Sequence, residues 1–343
     1  MTNPEINPAE YECAFVGDPS LIDIITARDV PLGGPRAMTV RRTLPQRKRS
    51  LIGPWCFLDH YGPDDVAATG GMAVPRHPHT GLATVTLLFE GTIEHIDTSG
   101  FANIVRPSEV NLMIAGSGIS HSEFSTDDTS VLHGVQLWYA LPDAVRGSQP
   151  GSQHYVAQPV AVPGGTVLTY IGSLAGVTSP IDTRVEAMAA QVVIDPGQTV
   201  TLDVDPRFEH GILLDSSQLT IHISGCDQSV GRDELAYIPP GSTSIALTAG
   251  DSPTRIIAIG GPPFEERIVM WWNFVGRSHD EIVEYRRAWQ SEIGAPDGDA
   301  QIPDRWFDGA ASPRFGIFPA DRPDPLPAPA LPNVRIKPRT QQR

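Results

Sequence analysis

The sequence predicts an all-β chain: two tandem barrel or sandwich domains, then one helix and an extended proline-rich tail. Three observations predict it. The 343 residues include 33 Pro and 32 Gly, a density of breakers that leaves few long helical patterns. Short β-branched and apolar runs recur at roughly 8–12-residue spacing, each closed by turn residues. The same texture stops at a loop-like stretch and then resumes.

In order, Ala83-Thr-Val-Thr-Leu-Leu-Phe89 is a strand closed by Glu90-Gly91. Thr92-Ile-Glu-His-Ile-Asp97 alternates apolar and polar residues and stops at Thr98-Ser-Gly100. Val110-Asn-Leu-Met-Ile114 runs into the turn Ala115-Gly-Ser-Gly118, and Val135-Gln-Leu-Trp-Tyr-Ala-Leu141 ends at Pro142. Gly147-Ser-Gln-Pro-Gly-Ser152 reads as a loop, so the join falls at about 143–160. Strands then resume at 166–171, 190–194, 199–204, 219–223 and 255–259. Ser278-His-Asp-Glu281 is a capping box, and Ile282, Tyr285 and Trp289 fall on one face of the helix it opens; Gly294 closes it. Beyond it, Pro323, Pro325, Pro327, Pro329, Pro332 and Pro338 exclude a core helix or central strand. That tail is an extended arm, either disordered or laid over its own chain or a partner. The domain division is therefore 1–150, 151–300 with the helix near 278–292, and 301–343.

Charge narrows the function. Forty acidic residues against 25 basic ones give a net charge of −15, so no direct nucleic-acid partner is expected. Apolar runs are too short to span a bilayer, and no secretory leader is read at Met1-Thr-Asn-Pro. Cys13, Cys56 and Cys226 form neither a disulfide framework nor a Cys-x-x-Cys metal site. A cytoplasmic, soluble protein is the expectation. Arg47-Lys-Arg49 reads as a solvated loop.

Ten histidines are present, and two local patterns stand out. His77-Pro78-His79 puts two imidazoles on one face of a strand, because residues two apart point the same way. His121-Ser122-Glu123 puts an imidazole and a carboxylate on one face. If the two pairs converge, the site holds three imidazoles and one carboxylate. Such a set with open positions suits iron, manganese, nickel, copper or zinc. It contains no thiolate, unlike a closed structural zinc site.

The runs His77-Pro-His-Thr-Gly-Leu-Ala-Thr-Val85, Leu88-Phe-Glu-Gly91, Glu94-His95, Met113-Ile-Ala-Gly-Ser-Gly-Ile-Ser-His-Ser-Glu123 and His133-Gly-Val-Gln-Leu-Trp138 closely resemble the pirin family of the cupin superfamily. Val40-Arg-Arg-Thr-Leu-Pro45 and Gly53-Pro-Trp-Cys-Phe-Leu-Asp-His-Tyr-Gly-Pro63 are similar to its N-terminal block. The resemblance is dense over about 36–142, looser to the helix, and absent from the tail. It implies a bicupin: two tandem cupin β-barrels, the first holding one metal, usually iron as Fe(II), and the second holding none. The family's ligand positions match His77, His79, His121 and Glu123. Two departures matter. Thr80 stands where pirins commonly have Arg, which removes a positive charge near the site. Ala83 stands where they have Glu, which is expected to remove a carboxylate near the pocket. Arg106-Pro-Ser-Glu109 is a minor turn change.

Around the site, His60, His95 and His133 are read as structural, Cys56 as a small buried hydrophobe, and Phe57, Leu88, Met113 and Trp138 as core that could line a cavity. The resemblance implies a dioxygenase of the quercetin 2,3-dioxygenase type, taking a flavonol-like aromatic substrate and dioxygen, with Glu123 as ligand and base. A second expectation is a redox-sensing regulator that binds a transcription factor or a metabolic enzyme as protein partner. A third is a metal-stabilised domain without chemistry. A monomer is expected, because two barrels can cover each other's faces.

Overall fold

A computed structural model describes residues 22–32, 38–295, 313–319 and 323–338. Cys13, the N-terminal residues and tail residues 301–312 lie outside them. Each half of the chain builds a seven-stranded antiparallel sheet facing a four-stranded one. In the first half the large sheet runs Gly151–Val156, Glu109–Ile114, Leu82–Glu90, Val131–Ala140, Trp55–Asp65, Thr39–Leu44, Arg28–Pro31. Its small sheet runs Ala73–His79, Ile119–Ser125, Ile93–Asp97, Ala102–Val105. The second half repeats the plan, with the large sheet beginning at Asp23–Ile25, paired to Leu235–Ile238. The chain's first described strand is thus an edge of the second barrel.

Period-two alternation sorts the side chains. Along Val131–Ala140, Val135, Leu137 and Tyr139 point outward and Gln136 and Trp138 point inward. The outward sets of both large sheets meet in one apolar core that joins Leu58, Val85 and Leu137 to Tyr170, Leu213 and Ile257. The barrels therefore pack back to back through this seam. The second barrel's interior is aliphatic, with Val192, Ile212, Leu214, Ile221 and Leu247 all buried. The first barrel's interior also carries polar groups. Arg42 grips Asp59 through two hydrogen bonds of 2.7 and 2.8 Å, both residues fully buried.

The helix forms over His279–Glu292. Ser278 Oγ accepts from Glu281 N as the capping box requires, and Glu281 reaches back to Arg277 N. Ile282, Tyr285 and Trp289 are buried, and the helix ends at Gly294 with φ of 65°. The described tail lies on its own chain: Trp289 Nε1 donates to Leu326 O, and Arg286 Nε to Pro329 O. Among the described residues no helix is long and apolar enough to cross a membrane.

Candidate metal centre

The histidine pair sits on Ala73–His79, an edge strand of the small sheet. An edge accommodates Pro75 and Pro78, which have no amide hydrogen for a second ladder. The neighbouring strand Ile119–Ser125 pairs His121 with His77, and the register slips before Glu123, which pairs with Val74. The extra residue lies in Ala73–His79; against Ile93–Asp97 the register is unbroken, so His121 and Glu123 stay on one face. All four residues are fully buried.

The three imidazoles converge. Ring centroids lie 5.0 Å apart for His77 and His79, 4.3 Å for His77 and His121, and 5.0 Å for His79 and His121. One ring nitrogen of each falls within 4.8 Å of the others. Glu123 joins through His121, in a second triad of His95, His121 and Glu123. Its carboxylate also accepts from Thr86 Oγ1 at 3.3 Å.

The donor set fits a divalent metal. His77 Nδ1 donates to Pro75 O (2.9 Å) and His79 Nδ1 to Asn273 O (3.1 Å), which leaves each Nε2 without a hydrogen. His77 Nε2 is buried and has no hydrogen-bond partner among the described residues. The bare His79 Nε2 faces His121 Nε2 at 3.1 Å. Burial, reinforced for His121 by its imidazole neighbours, pushes all three rings well below the ordinary histidine range. Neutral imidazoles with free lone pairs are what a metal requires.

The surroundings are an apolar wall. Phe57 stacks on Trp138 at 4.0 Å, and Trp138 meets the His79 ring edge-on at 5.0 Å. Met113 and Cys56 belong to the same cluster; Leu88 belongs to a separate one with Tyr61, Val74 and Leu132. The second half closes this end. The hairpin Val269–Trp271 and Phe274–Gly276 bridges Thr80 to Phe274. A Cβ on Gly81 would sit 2.2 Å from Val275 O, and Gly81 has φ of 66°, so glycine is required there.

Two expectations change. Ala83 points into the seam between the barrels, so the residue at this position does not bear on the pocket. His60 and His133, read as structural, lie at the seam, where their Nε2 atoms meet Asp215 Oδ1 at 2.8 and 2.6 Å. His60 Nδ1 lies 2.9 Å from Asp233. His95, read as structural, instead touches the candidate ligand His121, Nδ1 to Nδ1 at 3.3 Å, and bonds Asp97 at 3.1 Å. The His95-Ile-Asp97 alternation carried that signal, since it puts both side chains on one face. No local signal pointed to Asn273, Asp215 or Asp233, which arrive from the other half of the chain.

Known proteins resemble this one along most of its length. A family profile described as Pirin matches residues 37–139, and one described as Pirin C-terminal cupin domain matches 189–293. A Pseudomonas aeruginosa protein named a putative quercetin 2,3-dioxygenase is 37% identical over 87% of this chain and 90% of its own. A pirin-like protein of Caulobacter vibrioides is 31% identical, covering 83% and 96%. A crystal structure titled quercetin 2,3-dioxygenase from Acinetobacter baumannii superposes with a TM-score of 0.79 at 32% identity, covering 92% and 97%.

Proposed function

The chain belongs to the pirin family of two-domain cupins, and from that premise we propose that it is a mononuclear metal protein acting as a quercetin 2,3-dioxygenase-type oxidoreductase. His77, His79, His121 and Glu123 would hold the metal, with Fe(II) first and Mn, Ni, Cu or Zn as substitutes. The observation that carries the reading is the buried imidazole triad, with bare Nε2 atoms on His77 and His79 and the Nε2 atoms of His79 and His121 3.1 Å apart. When bound, the metal supplies Lewis acidity toward a flavonol hydroxyl and redox access for dioxygen.

The chain's own residues do the rest. Glu123 takes the hydroxyl proton on a carboxylate oxygen, in a site where Thr86 Oγ1 already donates to it. Phe57, Trp138 and Met113 present an aromatic and apolar wall that suits a planar ring system and keeps water away. The named relatives support the substrate class. The test is anaerobic reconstitution with Fe(II), then oxygen-dependent quercetin turnover in wild type and Glu123→Ala. Turnover in wild type, lost in the variant, supports the proposal. Metal bound without turnover moves the reading to a redox-sensing regulator with a protein partner.

A further inference from the structure

The three imidazoles of the triad are not anchored alike. His77 and His79 give their Nδ1 hydrogens to backbone carbonyls, of Pro75 and Asn273. His121 Nδ1 instead meets another imidazole, His95 Nδ1, at 3.3 Å, with ring centroids 4.9 Å apart. His95 Nε2 in turn lies 3.1 Å from Asp97 Oδ2, which also accepts from Ser152 Oγ. The other oxygen, Oδ1, accepts from Ser99 N at 2.8 Å, Ser99 Oγ at 2.6 Å and Phe101 N at 3.4 Å.

With both imidazoles neutral, one arrangement of hydrogens satisfies this chain. Asp97 is an acceptor on both oxygens, since Oδ1 takes three donors and Oδ2 takes Ser152 Oγ. His95 must therefore carry its hydrogen on Nε2. Its Nδ1 is then a lone pair, so the contact with His121 requires the hydrogen on His121 Nδ1. That leaves His121 Nε2 bare and turned toward His79 Nε2. With both ring nitrogens engaged, His95 is not itself a ligand.

Building on the metal-centre reading above, we infer that Asp97 and His95 are positioning residues that set the tautomer and ring angle of His121 through an aspartate–imidazole–imidazole relay. Outer partners of this kind typically govern metal affinity by about 10–100-fold. The relay makes an unusual demand on Asp97. In Asp97→Asn the amide oxygen stays at the Oδ1 position, where backbone and hydroxyl donors select it, and the NH₂ falls at Oδ2 against His95 Nε2. His95 then carries its hydrogen on Nδ1, and His121 must hold its own on Nε2, the atom offered to the metal. An isosteric change one imidazole removed from the site thus blocks it.

The test uses the full chain with Zn(II), a redox-silent probe, its affinity read by competition with a chromophoric chelator. Long-range ¹H–¹⁵N spectra of histidine-labelled protein report each tautomer. Asp97→Asn should weaken Zn(II) binding by about 10–100-fold. His95→Asn, whose amide oxygen replaces the Nδ1 acceptor, should stay within a few-fold of wild type, while His95→Leu should match Asp97→Asn. The wild-type spectrum should show His95 protonated on Nε2 only. Wild-type affinity in Asp97→Asn, equal loss in His95→Asn and His95→Leu, or a hydrogen on His95 Nδ1 would each overturn the relay. The His95 pair decides the matter even if Asp97→Asn does not fold. If His121→Ala binds Zn(II) as wild type does, the metal-centre reading fails first, and the relay with it.

Discussion

His79 and Asn273 stand 194 positions apart, yet the ring of one and the backbone carbonyl of the other are 3.1 Å apart. The second half of the chain thus orients a candidate metal ligand of the first. The carbonyl belongs to the turn of a hairpin whose Phe274 is almost wholly buried, against Trp271, Trp272, Tyr285 and Phe315.

Phe274→Ala should therefore do two things at once. Loss of the buried ring should cost about 3–5 kcal/mol in urea unfolding. The loosened turn should also lower metal affinity, measured by chelator competition. Lost stability with unchanged affinity would show that the hairpin covers the barrel without orienting His79.

The Arg42–Asp59 pair inside the first barrel is fully buried, and Arg42 also lies over Phe57 at 4.3 Å. Arg42→Met leaves the buried Asp59 carboxyl without its guanidinium partner, and should cost about 3–5 kcal/mol. Replacing both, as Arg42→Met with Asp59→Leu, should recover much of that loss, as a double-mutant cycle from denaturant melts would reveal.

The seam between the barrels has a pH signature. Burial raises Asp215, but its bonds to His133 and His60 outweigh burial and hold it far below the ordinary range. Arg255 braces its second oxygen at 3.0 Å. A depressed folded-state value means that this stabilisation is full above the unfolded carboxylate range, near pH 4, and fades as pH falls toward the folded value. The melting temperature of wild type should drop below about pH 4 more steeply than that of Asp215→Asn. Parallel curves would remove Asp215 from the acid response.

Much of this was legible in the sequence because strand patterns are local. The run read from Ala83 to Phe89 is the strand Leu82–Glu90, and Thr92–Asp97 is Ile93–Asp97. The His-x-His and His-x-Glu spacings placed their side chains on common faces for the same reason. Ala83 shows the limit. Its neighbours revealed the strand, but which face met the seam depended on a second sheet far along the chain. His60 and His133 met partners from that same distant sheet, and Asn273 left no mark, because a backbone carbonyl has no residue signature. His95 and Asp97 were two residues apart in plain view. Their meaning appeared only once His121 was paired against Asp97 in the register.

Metal content reports on the proposed metal centre itself. Wild type and His222→Ala, a half-exposed control, should each hold about one Fe(II) per chain after anaerobic loading and desalting, with imidazole scattering in X-ray absorption. His79→Ala and His121→Ala, folded by circular dichroism, should retain almost none. Wild type without stoichiometric metal, or triad variants that keep it, would rule out a metal centre at these residues.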